Sequence, residues 1–336
     1  MKRVMLAVLA LCSITGAAVA REQLRLAVSP ATLDAVGAVA TRFARGTGQL
    51  DPALEVTGSA VGFDLFCAGV GFEHVDLIAS SRRMSAAEFA KCDRNGVTSI
   101  TEIEIGRDGL VLVSMAGREA LQLSRESLYA ALARDLPHGG EVKRNAALHW
   151  SEVDPRLPKQ PIRFIGPSPR SSQMPDFLDL VMSASCGASA TLEGGPRDLL
   201  CRTLRQDGPY QEGPKSASQV LEQLRSDRDA VAVLPYTFYA AHRDDLTAHT
   251  IDGIAPTGDS ITAGRYPLIE RVYVYVKNQH MGRVPGLQRL VYEFTSERAI
   301  SPTGYVAATG IVALDDIGRN RARDMALSLQ PWRPEP

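Results

Sequence analysis

The feature that most constrains this chain is a recurring unit: a short aliphatic run, a turn rich in Ser or Gly, then a helical stretch with one apolar face. Leu24 to Val28 runs into the turn at Ser29 and Pro30. From Thr32 to Arg45, Leu33, Val36, Val39, Ala40 and Phe43 then recur at helical spacing. The unit returns at Leu54–Thr57 with a helix from Ser59 towards Cys67, and at Val75–Ala79 with a helix from Met84 to Cys92 capped by Ser85. A second series starts at Ile162–Ile165 after the proline-rich loop Pro155–Pro161. It continues through helical stretches at Phe177–Met182 and Ala217–Arg225 and a strand at Ala230–Leu234. Between the series, Ser124–Arg134 reads as a capped helix, and Ile103–Ser114 as two strands joined by a turn at Gly106–Gly109. Val272–Val276 is an alternating strand and Leu287–Thr295 a helix. Strands alternating with helices predict an α/β fold with parallel sheet. Two such series in 336 residues predict two lobes, with a ligand cleft between them. The lobes are expected to interleave: one takes residues 21–110 plus part of the C-terminal region, the other about 111–270.

The N-terminus limits where the protein works. Lys2 and Arg3 precede the apolar run Val4–Leu11, and Ala18-Val19-Ala20 is a small-x-small site before Arg21. This is the pattern of a cleavable signal peptide over residues 1–20, so a periplasmic location is expected. Cysteine usage agrees with an oxidising compartment. Past Cys12, four cysteines fall as two close pairs. Of three possible connectivities the simplest is Cys67–Cys92 with Cys186–Cys201. No CxxC or His cluster supports zinc instead.

With 37 basic and 38 acidic residues there is no basic excess to hold nucleic acid. Catalysis finds little support. The six histidines are scattered, with no H-E-x-x-H spacing, and no G-x-S-x-G elbow, Walker loop or G-x-G-x-x-G is present. No enzyme activity, metal or cofactor is expected.

Three strand-to-helix turns share one chemistry instead: Val28-Ser29-Pro30-Ala31-Thr32, Gly58-Ser59-Ala60-Val61-Gly62, and Gly166 through Arg170, Ser171 and Ser172 to Gln173. Each sets hydroxyls and free N–H groups at a helix start, where unsatisfied donors and the helix dipole favour an anion. Ser81-Arg82-Arg83 follows a predicted strand and offers guanidinium groups suited to an oxyanion. The candidate ligand-binding residues are therefore Ser29, Thr32, Ser59, Ser81, Arg82, Arg170, Ser171 and Ser172.

Across nearly the whole mature length the chain resembles the periplasmic phosphate-binding proteins of bacterial phosphate ABC transporters. The resemblance rests on Phe66-Cys67-Ala68-Gly69, the run from Asp76 to Met84, Ile105–Leu110, Trp150–Val153, Ile165-Gly166-Pro167, Tyr266-Pro267-Leu268 and Gly304-Tyr305. It implies two α/β lobes closing on phosphate, an ABC transporter permease as partner, and a monomer. It also implies that Ser29, Ser59, Ser81, Arg82 and Ser171 fall near the ligand. The turns themselves depart from the family. Pro30 removes an N–H donor, Ala60 and Val61 stand in a loop usually richer in glycine, and Ser172-Gln173 replaces a Gly-Thr. Two functions follow: capture of phosphate or a related oxyanion for transport, or a divergent ligand sensor or envelope interaction protein with weakened phosphate binding.

Overall fold

A computed structural model describes residues 23–138, 141–171, 173–186 and 195–334. The expected signal peptide and Ser172 lie outside the described residues.

The main sheet is built from β1 (Arg25–Val28), β2 (Ala53–Val56), β3 (Leu77–Ser80), β4 (Ile100–Met115), β5 (Phe164–Gly166), β6 (Tyr210–Glu212), β7 (Val231–Pro235), β8 (Leu246–Ala248) and β9 (Ile269–Lys277). Its order is β2-β1-β3-β9-β4-β7-β5-β6, with β8 also pairing β4. The outer strands are parallel: β1 with β2 and β3, and β5 with β6 and β7. The pairs at the centre, β9 with β3 and β4 and β7 with β4, are antiparallel.

β4 joins the two halves. From Ile100 to Gly109 it pairs with β9, and from Leu110 to Val113 with β7. The turn expected at Gly106–Gly109 does not exist; the strand runs through it unbroken. Neither glycine has a positive φ. They serve close approach instead. A Cβ at Gly106 would lie 2.2 Å from Ile311 Cγ2, and one at Gly109 2.7 Å from Ile261 Cδ1. Here glycine inside a strand marks a place where other groups press on the backbone, not a turn.

Apolar residues divide along the same line. One core runs from Leu110 through Trp150, Phe164 and Phe177 to Leu268. Another joins β1, β3 and β9 to α1 (Leu33–Thr47) and a helix at Leu287–Thr295. A third lies under α2 (Ser59–Phe66) and α3 (Ala86–Arg94), around Phe63, Phe66, Ile78 and Tyr275. The result is a two-lobed α/β protein in which β4 belongs to both lobes.

Local chemistry fixes the helix ends. α1 buries Val36, Val39, Ala40 and Phe43 and stops at Gly48, whose φ is +69°; glycine takes that conformation without the Cβ penalty. α3 starts with a capping box between Ser85 and Glu88. Both expected disulfides are present. Cys67–Cys92 ties the end of α2 to α3, and Cys186–Cys201 closes a segment of the second lobe.

Candidate ligand cleft

Two cavities lie where the lobes face each other. The first, about 290 Å³, takes Pro30, Ala31 and Gly310 from one side, Ser168, Ser171, Gln173 and Lys215 from the other, and Asp108 from β4. The second, about 190 Å³, is lined by Ser81, Arg82 and Arg83, by Asp176 and Asp179 of the second lobe, and by Glu270 of β9. A larger groove of about 630 Å³, between Arg118–Ser124 and Arg156–Gln160, lies within the second lobe and not between the lobes.

The sequence-derived candidates separate into distinct groups. Ser29 and Thr32 are buried, and their hydroxyls meet each other at 3.1 Å. Thr32 also donates to the Ser29 and Ala79 carbonyls. That closure fastens the end of β1 to β3 and uses the Thr32 hydroxyl internally. Ser59 and Ser81 come together, Oγ to Oγ, at 3.5 Å. Ser59 begins α2, whose cap residue Gly58 has no side chain to satisfy the first N–H groups. Gly62 lets α2 lie close on β3: a Cβ there would be 2.8 Å from Ile78 Cδ1.

Arg82 lies in the second cavity but is engaged. Its Nη1 and Nη2 donate to Glu88 at 2.9 and 2.6 Å, and its guanidinium lies 5.1 Å from the Phe63 ring centroid. Hydrogen bonding to Glu88 raises the Arg82 pKa against the opposing pull of burial. Arg83 is likewise held, by Glu102 at 2.9 Å. Arg170 is exposed and lines neither cavity. The Ser171 hydroxyl donates to the Ser168 carbonyl at 2.8 Å, closing the turn that precedes α4 (Gln173–Phe177).

The structure adds residues that sequence reasoning passed over as ligand groups. Gln173 Nε2 is buried and has no hydrogen-bond partner among the described residues. Lys215, exposed at the first cavity, is the cation lining it. A Gly-Pro-Lys-Ser turn before a helix was the available signal for Lys215; for Gln173 it was the place at the end of the third turn, where Ser172-Gln173 departs from the family's Gly-Thr.

Carboxyl groups are the other surprise. Burial pushes Asp108 up to about 7, although the Gly109 N–H, 2.7 Å away, favours its charged form. Burial likewise raises Asp176 to about 6, and raises Glu270 well above the usual carboxylate range, with each carboxyl beside the other. Groups shifted this way gather where a protein handles ligands or protons.

A cleft between two α/β lobes that share their central strands defines the solute-binding class of protein. The chain belongs to the PBP superfamily: residues 14–298 match the family described as the PBP superfamily domain. Protein SphX of Synechocystis sp. is 23% identical over 279 residues, covering 80% of this chain and 73% of that protein. Protein SphX of Synechococcus elongatus is 21% identical, over 72% of this chain and 64% of its own length. Among solved structures, a possible phosphate binding protein from Planctomyces limnophilus superposes with a TM-score of 0.71 at 19% identity, covering 91% of this chain and 98% of that one. An ABC-type phosphate transport receptor from Vibrio cholerae gives 0.63 at 16% identity, over 86% and 99% of the two chains. At these identities the structural likeness shows the fold.

Proposed function

We propose that this protein is an extracytoplasmic solute-binding protein that captures phosphate or a related oxyanion between its lobes for an ABC transporter. The observation that carries this reading is the first cavity, lined from the second lobe by Lys215 and by Gln173, whose Nε2 has no hydrogen-bond partner among the described residues. A positive side chain and a buried N–H donor suit an oxyanion. Ser59, Ser81 and the uncapped start of α2 supply further donors beside the second cavity. The names of the structural relatives point to the same ligand class.

Thermal unfolding of the mature protein across a phosphate titration, with sulfate as control, tests the reading. A ligand that binds only the folded state stabilises it by about 2.7 kcal/mol at a hundredfold excess over Kd. A phosphate-dependent rise that Gln173→Ala and Lys215→Ala each reduce supports oxyanion capture. No rise at millimolar phosphate sinks it.

A second reading, a sensor or envelope interaction protein with another ligand, is favoured by one specific finding. The arginines nearest the cleft are already paired with Glu88 and Glu102, while Asp108, Asp176 and Glu270 line the cavities. Absence of phosphate stabilisation together with stabilisation by a neutral or cationic solute selects it.

A further inference from the structure

We propose that Asp176 and Glu270 share one proton across the boundary between the second lobe and the central strand β9, and that this proton latches the cleft shut. The proposal rests on the two-lobed clamp reading, but not on phosphate being the ligand.

Asp176 is 7% exposed and Glu270 6%. Both line the 190 Å³ cavity. Asp176 Oδ2 and Glu270 Oε1 are buried, and among the described residues no N–H or O–H group donates to either of these two atoms. The two carboxyls are hydrogen-bonding neighbours, and Asp176 also neighbours the Ser81 hydroxyl of the first lobe. Two carboxylates only accept, so a bond between them exists when one keeps its proton. Two bare charges in so dry a place would repel strongly.

Among the described residues, the arginines that line this cavity are already committed to other partners. From β4, Asp108 adds a further carboxyl, while Arg107 is held by Glu104 and the Thr262 carbonyl. On β9, Arg271 pairs with Glu104, and Tyr273 lines the cavity. After β3, Arg82 and Arg83 are bound to Glu88 and Glu102. On the Asp176 side, Asp179 is paired with Arg202 and adds negative charge. The Tyr236 N–H, at the start of the helix Tyr236–Ala241, is directed at Asp108.

When the lobes part, Asp176 leaves with the second lobe and both carboxyls return to water and to ordinary acidity. The shut form therefore binds more protons than the open one. Shutting is favoured at low pH and lost as pH rises through the values of the shut form, about 6 for Asp176 and well above the usual carboxylate range for Glu270.

Small-angle X-ray scattering of the full mature chain tests this, in anion-poor, phosphate-free buffer between about pH 5 and pH 9. The expected result is a compact wild type at acid pH whose radius of gyration rises in a sigmoid as pH passes the shut-form values. Glu270→Gln and Asp176→Asn each place a permanent amide donor against the remaining carboxylate. Both are expected to stay compact throughout, with far-UV circular dichroism reporting that each variant is folded. A wild-type radius independent of pH, or folded variants that follow the wild-type curve, overturns the latch. Phosphate binding with a flat pH curve removes the latch alone; a pH-dependent radius without phosphate binding removes only the phosphate reading.

Discussion

Glu88 accepts a hydrogen bond from the Ser85 N–H at the start of α3 and two more from Arg82. One side chain thus completes a helix cap and neutralises the guanidinium that sequence alone assigned to the ligand. On the proposed reading of phosphate as ligand, Glu88→Gln is expected to weaken the hold on Arg82 and raise phosphate affinity several-fold. The cost is a stability loss of about 1 kcal/mol, as for a damaged cap. Isothermal calorimetry and thermal melting of the same variant measure both effects. At Gly106 the surroundings leave no room for a methyl group. Gly106→Ala is expected to lose about 1–3 kcal/mol in urea unfolding, as an overpacked site does. Neither the Glu88–Arg82 pairing nor the crowding at Gly106 is written in local sequence, because each depends on a neighbour's rotamer or on a segment far along the chain.

The helices were legible as elements because their apolar spacing and caps are local. Leu287–Thr295 is bounded as its periodicity indicates, and Ser85, Ser124 and Ser216 cap their helices with side-chain oxygens. β4 was misread as two strands because glycine carries the same signal for a turn and for close packing. Its continuity is set by partners at both ends, β9 and β7. The Cys186–Cys201 bond spans 15 residues of the second lobe. Replacing both cysteines with Ser is expected to cost about 3 kcal/mol, the loop-closure value for such a length. Melting of this variant under oxidising conditions, beside wild type with and without reductant, measures it.

At the scale of the whole molecule, burial holds the pKa of three carboxyls at the lobe boundary above the ordinary carboxylate range. The folded state therefore keeps protons that the unfolded chain has already lost. For Asp176 and Asp108 that contribution is fully present below the unfolded values near 4, and is lost as pH rises through about 6 to 7. Burial depresses His249 to about 4, so its contribution has the opposite sign: present above its unfolded value and lost as pH falls. Chemical denaturation is expected to show stability falling from about pH 5 to about pH 7, where the three carboxyls together outweigh the opposing contribution of His249. Asp108→Asn is expected to make that fall shallower. An unchanged slope would show that Asp108 does not keep its proton in the folded protein.

Sequence by itself determined the alternation of strands and helices, the division into two lobes and the helix starts that border the cleft, and made the observed cysteine pairing the simplest of three. Each of these follows from hydrophobic period, capping chemistry or spacing along the chain. Tertiary structure alone decided which polar groups reach the cleft uncommitted. It tied Thr32 to backbone carbonyls and Arg82 to Glu88, left Gln173 Nε2 without a partner among the described residues, and brought Asp176 against Glu270 from distant parts of the chain. The reason is physical: a side chain's type fixes what it can donate or accept, but its charge state and its partner depend on burial and on neighbours that only folding supplies.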